Sequence, residues 1–410
     1  MRRKTSVLPY IIFIIFLVII NWYVTNGFQI LFPNFFFQET FTSVNLIISF
    51  SLIAAIFRLQ SHGMDGFFKL ATHFFVVIFV AEIVASLILL VGDIVILALA
   101  FFGNHDPETF LPLRINTFSI IALIAFIIVI LVFIDGIVRG KYAYRVIKKT
   151  LFFDDLPPAF EGFSITQISD VHSGSFNNNK AVQKGIDLIN AQKSDLLVFT
   201  GDLVNNKAEE IVPWIPLFQQ IKASYGKFSI LGNHDYGDYI KWPNDLEKRK
   251  NLQNLKDYHQ QIGFKLLLDE NVTIEKGGQK IDLLGVENWG IGFGERGDLN
   301  KALSGTNQND FKILLSHDPS HFDAQVKTHA SKINLTLSGH THGMQFGIEA
   351  FGIKWSPVKY RYKHWAGLKE ELGRFLYINR GFGFLGFSGR IGIWPEITVI
   401  ELRTFNHKAQ

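Results

Sequence analysis

Apolar positions follow two regimes along the chain. Up to about residue 140 they form long, nearly unbroken runs; from residue 163 they come in short runs, each closed by a polar cluster. Four long runs, at about residues 8–24, 41–58, 70–95 and 115–138, are each able to cross the ~30 Å of a bilayer's hydrocarbon, which takes about 20 helical residues. The first follows Arg2-Arg3-Lys4 and has no small-residue cleavage site behind it, so it reads as an uncleaved anchor rather than a signal peptide. The third continues to residue 102, longer than one crossing needs, so it is expected to tilt, to extend past the bilayer or to break near Gly92. His73, Glu82 and Asp93 lie in or beside it, and an ionisable residue in a membrane segment marks a functional site or a bundle interior.

Composition agrees with a membrane protein. The chain has 410 residues, of which 48% are apolar and only 19% charged, against about 25% charged in soluble domains. With no cysteine, disulfides, thiolate catalysis and zinc ribbons are excluded. Residues 1–150 carry 11 Lys+Arg and 7 Asp+Glu, whereas residues 151–410 carry 29 of each. The C-terminal part has no basic stripe, so nucleic acid is not expected as a partner, and the bilayer is. Arg58 and Lys69 lie between runs two and three, and Arg139, Lys141, Arg145, Lys148 and Lys149 follow run four; the opposite loops hold Arg114 alone. This bias predicts both termini, and the C-terminal domain, on the cytoplasmic side. The expected organisation is a membrane region over 1–140, a juxtamembrane connector over 141–162 ending in an edge strand, and a folded domain over 163–405.

In that domain, strands are predicted at 163–169, 195–200, 227–231, 311–315 and 332–338, with helices near 178–192, 207–221, 244–261 and 319–329. Each strand ends in residues able to bind metal: Asp170-Val171-His172, Gly201-Asp202, Gly232-Asn233-His234-Asp235, Ser316-His317-Asp318 and Gly339-His340-Thr341-His342. An α/β sheet gathers such strand ends at one edge. Residues two apart on an extended segment point the same way, so Asp170 with His172, and His340 with His342, can each converge on one point. The Asp202 carboxylate has two oxygens and can bridge two ions. Mixed nitrogen and oxygen donors suit Mn, Fe, Zn, Co or Ni. Singly, a D-x-H or G-D after a strand is found in ordinary turns; the five together, each behind an apolar strand, are not.

This set resembles the calcineurin-like metallophosphoesterase superfamily, whose pattern is D-x-H, G-D, G-N-H-D/E, H, G-H-x-H, and in particular its membrane-attached phosphodiesterase branch with an N-terminal multi-span region. The resemblance covers about residues 163–405 and extends to Tyr377-Ile378-Asn379-Arg380-Gly381-Phe382-Gly383, Arg390 and Pro395-Glu396-Ile397. It implies a four-layer αββα sandwich behind an all-α membrane region, with two divalent metal ions. One would be held by Asp170, His172, Asp202 and His342, the other by Asp202, Asn233, His317 and His340. His234 would act as acid or transition-state donor, oriented by Asp235. One departure is Asn205, where many relatives carry an acid. Arg380 and Arg390 are candidates for reaching distal phosphate oxygens by bidentate contacts.

The expected activity is hydrolysis of a phosphodiester or pyrophosphate. An amphiphilic substrate is suggested by the anchor and by aromatic residues in the surrounding loops: Phe346, Phe351, Trp355, Tyr360, Tyr362, Trp365, Phe382, Phe384 and Phe387. Similar membrane-attached relatives include pyrophosphatases of UDP-2,3-diacylglucosamine. The alternatives are a protein or small-molecule phosphatase, and a transport or sensor protein with a regulatory phosphoesterase domain.

Overall fold

The computed structural model describes residues 8–33, 35–62, 65–103, 114–350 and 352–405. The chain divides into two compact units, residues 1–135 and 136–410. Arg2, Arg3, Lys4 and Phe351 lie outside the described residues.

The first unit is built from helices α1 (Leu8–Gln29), α2 (Phe35–His62), α3 (Gly66–Gly103) and the start of α4 (Ser119–Val138). All four are long and apolar enough to cross a membrane. With 38 residues, α3 is about 57 Å long at 1.5 Å per residue, and it runs through Gly92 without a break. Small residues Ala81, Ala85 and Ala122 let the helices approach closely, as membrane packing favours. Phe28 seats edge-on against Phe126, with ring centroids 5.6 Å apart. Two acidic residues of α3 bond to α1: Glu82 accepts a hydrogen bond of 2.9 Å from Asn21 Nδ2, and Asp93 accepts one from Tyr23.

The second unit stacks two six-stranded sheets. The first sheet has the order β1-β16-β2-β3-β4-β5, with β1 (Arg145–Phe153), β2 (Ser164–Ile168), β3 (Leu196–Phe199), β4 (Lys227–Ser229), β5 (Lys265–Leu266) and β16 (Glu396–Thr404). Its neighbours are parallel except β16 against β2. The second has the order β14-β15-β11-β10-β7-β6, with β6 (Glu270–Lys276), β7 (Gln279–Gly285), β10 (Lys312–Leu315), β11 (Leu335–Ser338), β14 (Gly367–Glu371) and β15 (Arg374–Ile378). Two small ribbons, β8 (Trp289–Gly290) with β9 (Gly294–Glu295) and β12 (Ile348–Ala350) with β13 (Ile353–Trp355), lie outside both sheets. The edge strand foreseen at the end of the connector is β1, which belongs to the first sheet.

Period-two alternation explains the layering. In β3, Leu196 and Val198 face the second sheet, where they meet Leu283, Ile313, Leu315 and Leu337. Leu197 and Phe199 face the other way, toward α5 (Asn179–Ala191) and α7 (Asp245–Ile262). Buried on both faces, such strands are continuously apolar. On the outer face of the second sheet, Leu314 and Leu376 pack with Leu299 of α8 (Leu299–Ala302) and with Phe322 and Val326. The result is the expected helix–sheet–sheet–helix arrangement. Two of the foreseen helices are reduced. Pro213 and Pro216 leave 207–221 as a 3-10 segment followed by the single turn α6 (Ile215–Phe218), and 319–329 contains one π turn, Phe322–Val326.

His259 of α7 is fully buried, with Nδ1 against Ser229 Oγ at 2.9 Å, and burial pushes its pKa down to about 3. The unfolded chain therefore binds a proton below about pH 6.5 that the folded chain refuses. Stability from this group is complete above that pH and declines as pH falls toward 3, by about 1.4 kcal/mol per unit. Melting temperatures of wild type and His259→Phe between pH 6.5 and 4.5 are expected to show a shallower acid decline in the variant.

Candidate metal centre

The ends of β2, β3, β4, β10 and β11 meet, and their backbones are knitted together. Asp170 N donates to Gly201 O, His172 N to Asp202 O, and Gly339 N to His317 O, at 2.9, 3.1 and 2.9 Å. Gln167 ties the two sheets by donating to Ser338 O at 2.9 Å. The glycines of the motifs are required by this closeness. A Cβ on Gly339 would stand 1.9 Å from Ser169 Oγ and 2.3 Å from Asp170 Oδ2.

Seven side chains converge there. Asp170, His172 and His342 form one group whose donor atoms lie within 4.8 Å of one another, and Asp202, His317 and His340 form a second. In the first, His342 Nε2 is 3.3 Å from Asp170 Oδ1 and 3.0 Å from His172 Nε2. In the second, Asn233 Oδ1 is 3.1 Å from His317 Nε2 and 2.9 Å from His340 Nδ1. One oxygen joins them: Asp202 Oδ2 lies 3.2 Å from His317 Nε2 and 3.5 Å from His172 Nε2.

Three observations fit a pair of cations. Five of the seven, Asp170, His172, Asp202, His340 and His342, have φ between 45° and 71°. Left-handed backbone at non-glycine residues costs on the order of 1–3 kcal/mol each and concentrates at functional sites. Second, nitrogen and oxygen lone pairs face one another at about hydrogen-bond distance, an arrangement that positive charge reconciles. Third, the site favours that charge. Burial opposes a proton on His317, but the adjacent Asp202 carboxylate outweighs it and lifts the pKa to about 10. Burial by itself would raise Asp202, yet the imidazoles of His317 and His234 hold it well below the usual carboxylate range. Burial keeps His340 neutral by lowering it to about 4, and the neutral imidazole is the ligand form.

The residues behind this set differ in part from expectation. Asp235 does not touch the His234 ring. Its carboxylate accepts from the backbone N–H groups of Asp202, Leu203, Val204 and Gly232, at 2.8–3.2 Å, and so fixes the loop that carries Asp202. His234 is oriented instead by the Asn205 carbonyl, 2.8 Å from Nδ1. That contact uses backbone, which explains why Asn is accommodated at 205. Arg380 and Arg390, the candidates for phosphate contacts, have their guanidinium donors engaged by protein groups. Arg390 is fully buried, and its guanidinium donates to the carbonyls of Gly381, Gly383 and Ile393 while Nη2 lies 3.2 Å from His342 Nδ1. Arg380 is spent between Glu396 and Glu349, at 2.5 and 2.6 Å.

Three residues beyond the expected ligands contribute, of which Tyr362 was foreseen only as a loop aromatic. Asp318 Oδ2 stands 3.4 Å from His340 Nε2 and accepts from Tyr362 Oη at 3.0 Å. Tyr239 packs over His234, with ring centroids 4.4 Å apart, and accepts from Asn233 Nδ2 at 2.8 Å. Tyr362 lies 44 residues from the Asp318 it holds, whereas Tyr239 follows Asn233 by six and Asp318 is next to His317. Several aromatics credited to the site are core residues: Phe382, Phe384 and Trp365 are buried.

Residues 163–344 match the calcineurin-like phosphoesterase family. The chain belongs to that family. Residues 4–141 match a second family, described as a probable calcineurin-like phosphoesterase transmembrane domain. The metallophosphoesterase YkuE of Bacillus subtilis is 33% identical over 254 residues, 61% of this chain and 82% of that one. Cj0846 of Campylobacter jejuni, also named a metallophosphoesterase, is 24% identical over 374 residues, 90% of each chain. A zebrafish (Danio rerio) transmembrane protein with metallophosphoesterase domain is 26% identical over 285 residues, 68% of this chain and 62% of its own. This is a membrane-associated calcineurin-like metallophosphoesterase with two groups of candidate ligands, of a family that uses divalent metal ions.

Asp235→Ala would release four backbone amides around Asp202. Titration calorimetry with Mn²⁺ is expected to show binding weakened about 10–100-fold, the usual effect of losing a group that orients a ligand.

Proposed function

We propose that the chain hydrolyses a phosphodiester or pyrophosphate bond with two divalent ions, one held by Asp170, His172, Asp202 and His342 and the other by Asp202, Asn233, His317 and His340. The observation that carries this reading is the single oxygen, Asp202 Oδ2, within 3.5 Å of an imidazole from each group. When bound, such a pair supplies Lewis acidity and an acidified water. The rest falls to the protein. Asp202 and Asn233 set the spacing, and the buried carboxylates keep bulk water from screening the charge. A carbonyl can only accept, so the Asn205 contact keeps hydrogen on His234 Nδ1 and leaves Nε2 as the nitrogen that exchanges a proton with the leaving oxygen. No serine or cysteine nucleophile is called for.

The substrate in this reading is an amphiphile. Support comes from apolar side chains exposed on the segment that follows the His340–His342 motif: Met344, Ile348, Ile353 and Tyr360 are 58%, 48%, 55% and 78% exposed. Such a rim beside a phosphate site suits an acyl chain. We place the catalytic domain on the cytoplasmic face, from the Lys and Arg bias; its protection from protease added to intact cells tests that placement.

His234→Ala is expected to lower kcat for bis-p-nitrophenyl phosphate by at least about 100-fold while metal content is kept. Asp202→Asn should lose metal and activity together. Wild-type rates in either variant would overturn the reading. A panel of bis-p-nitrophenyl phosphate, UDP-2,3-diacylglucosamine and a phosphoserine peptide decides the class: preferential turnover of the nucleotide lipid supports the amphiphile, and turnover of the peptide alone contradicts it.

A further inference from the structure

The membrane unit holds a cavity of about 470 Å³ between α1, α2 and α3, within the ~300–1,000 Å³ range of small-molecule sites. Its lining is not what a lipid-facing groove requires. On α2 the polar residues Gln38, Thr42, Asn45 and Ser49 all line it, and their spacing of four, three and four places them on one helical face. From α1 come Asn21 and Thr25, and from α3 Glu82, which is 4% exposed. Glu82 lies 16 residues from the start of the 38-residue α3, about 24 Å along its axis and well inside the hydrocarbon. Polar groups at that depth are costly unless they have a use or a partner.

The hydrogen bonds among these residues use only part of their capacity. Asn21 Nδ2 donates to Glu82 Oε1, Thr25 Oγ1 to Asn21 O, and Asn45 Nδ2 to Phe41 O, at 2.9, 2.7 and 3.1 Å. Left over are acceptors, the second Glu82 oxygen and the amide oxygens of Asn21 and Asn45, and also donors, the second N–H of each amide with the Gln38 amide and the Thr42 and Ser49 hydroxyls. A guest is therefore a polar head that hydrogen-bonds in both directions. Among the described residues the lining holds no Lys, Arg or His, so an anionic head group would find no counter-charge there. The mouth carries Val18, Trp22, Leu46 and Phe50, which are 49–66% exposed and lie where acyl chains run.

We propose that this cavity binds an uncharged amphiphile whose head presents hydroxyl or amide groups to Glu82 and Asn45 while its acyl chain leaves between α1 and α2. The site is separate in its residues from the metal centre and does not depend on the phosphoesterase reading.

The test uses the full chain in phosphatidylcholine nanodiscs, with EDTA present so that no probe is turned over. A diacylglycerol carrying a photoreactive diazirine on one acyl chain is compared with a phosphatidic acid of identical chains. Diacylglycerol is expected to label α1 and α2 peptides at least about tenfold more than phosphatidic acid, the factor that one unpaired buried polar group commands. Asn45→Leu should lower that labelling several-fold. Equal labelling of the two lipids by wild type, labelling confined to outward-facing positions, or no effect of Asn45→Leu would each overturn the proposal.

Discussion

One carboxylate oxygen, Asp202 Oδ2, sits between imidazoles that arrive from both sheets, and the rest of the catalytic unit is arranged to keep it there. Asp202 is 1% exposed, and a buried, unpaired carboxylate carries a penalty of several kcal/mol. The fold offsets this with imidazoles on either side and with a loop held from beneath by the Asp235 carboxylate. The fully buried Arg390 adds fixed positive charge behind His342. Left-handed backbone at five ligand positions is a further cost. At on the order of 1–3 kcal/mol each, that strain approaches the ~5–15 kcal/mol net stability of a whole domain. Such a centre persists because the strand ends leave the loops no other conformation, and because the two-sheet core beneath it is close-packed.

Most of the catalytic unit was legible in the sequence, for a definite reason. Strands buried on both faces read as short apolar runs, so LLVF and KILL announced themselves, and the polar cluster after each marked the sheet edge where ligands gather. The candidate ligands were readable because metal chemistry restricts the residue types. The residues behind them were not. Asp235 was read as a partner for its neighbour His234, but in a tight turn a carboxylate is best placed to collect backbone amides. Arg380 and Arg390 were read as phosphate ligands because arginine suits that role; Glu396, Glu349 and the carbonyls of the 381–393 loop take their donors instead. Tyr362 acts across a gap of 44 residues that no local pattern records.

The membrane unit shows the opposite balance. Hydropathy located its four helices, and the bonding of Glu82 and Asp93 to α1 follows from the cost of charge in hydrocarbon. The polar face of α2 was hidden, because in a mainly apolar helix the residues at 38, 42, 45 and 49 look scattered until they are placed on a 3.6-residue repeat. Aromatic content misled for a related reason. Phe382 and Phe384 sit in a glycine-rich loop but fill the core against α5, and the exposed apolar groups are Met344, Ile348, Ile353 and Tyr360.

Asp202 is the residue proposed to serve both ions. Anomalous scattering from crystals of the full chain grown with Mn²⁺ measures this directly. Two peaks ~3.5–4 Å apart, with the Asp202 carboxylate between them, are the predicted result; a single peak, or two that do not share that carboxylate, would contradict it.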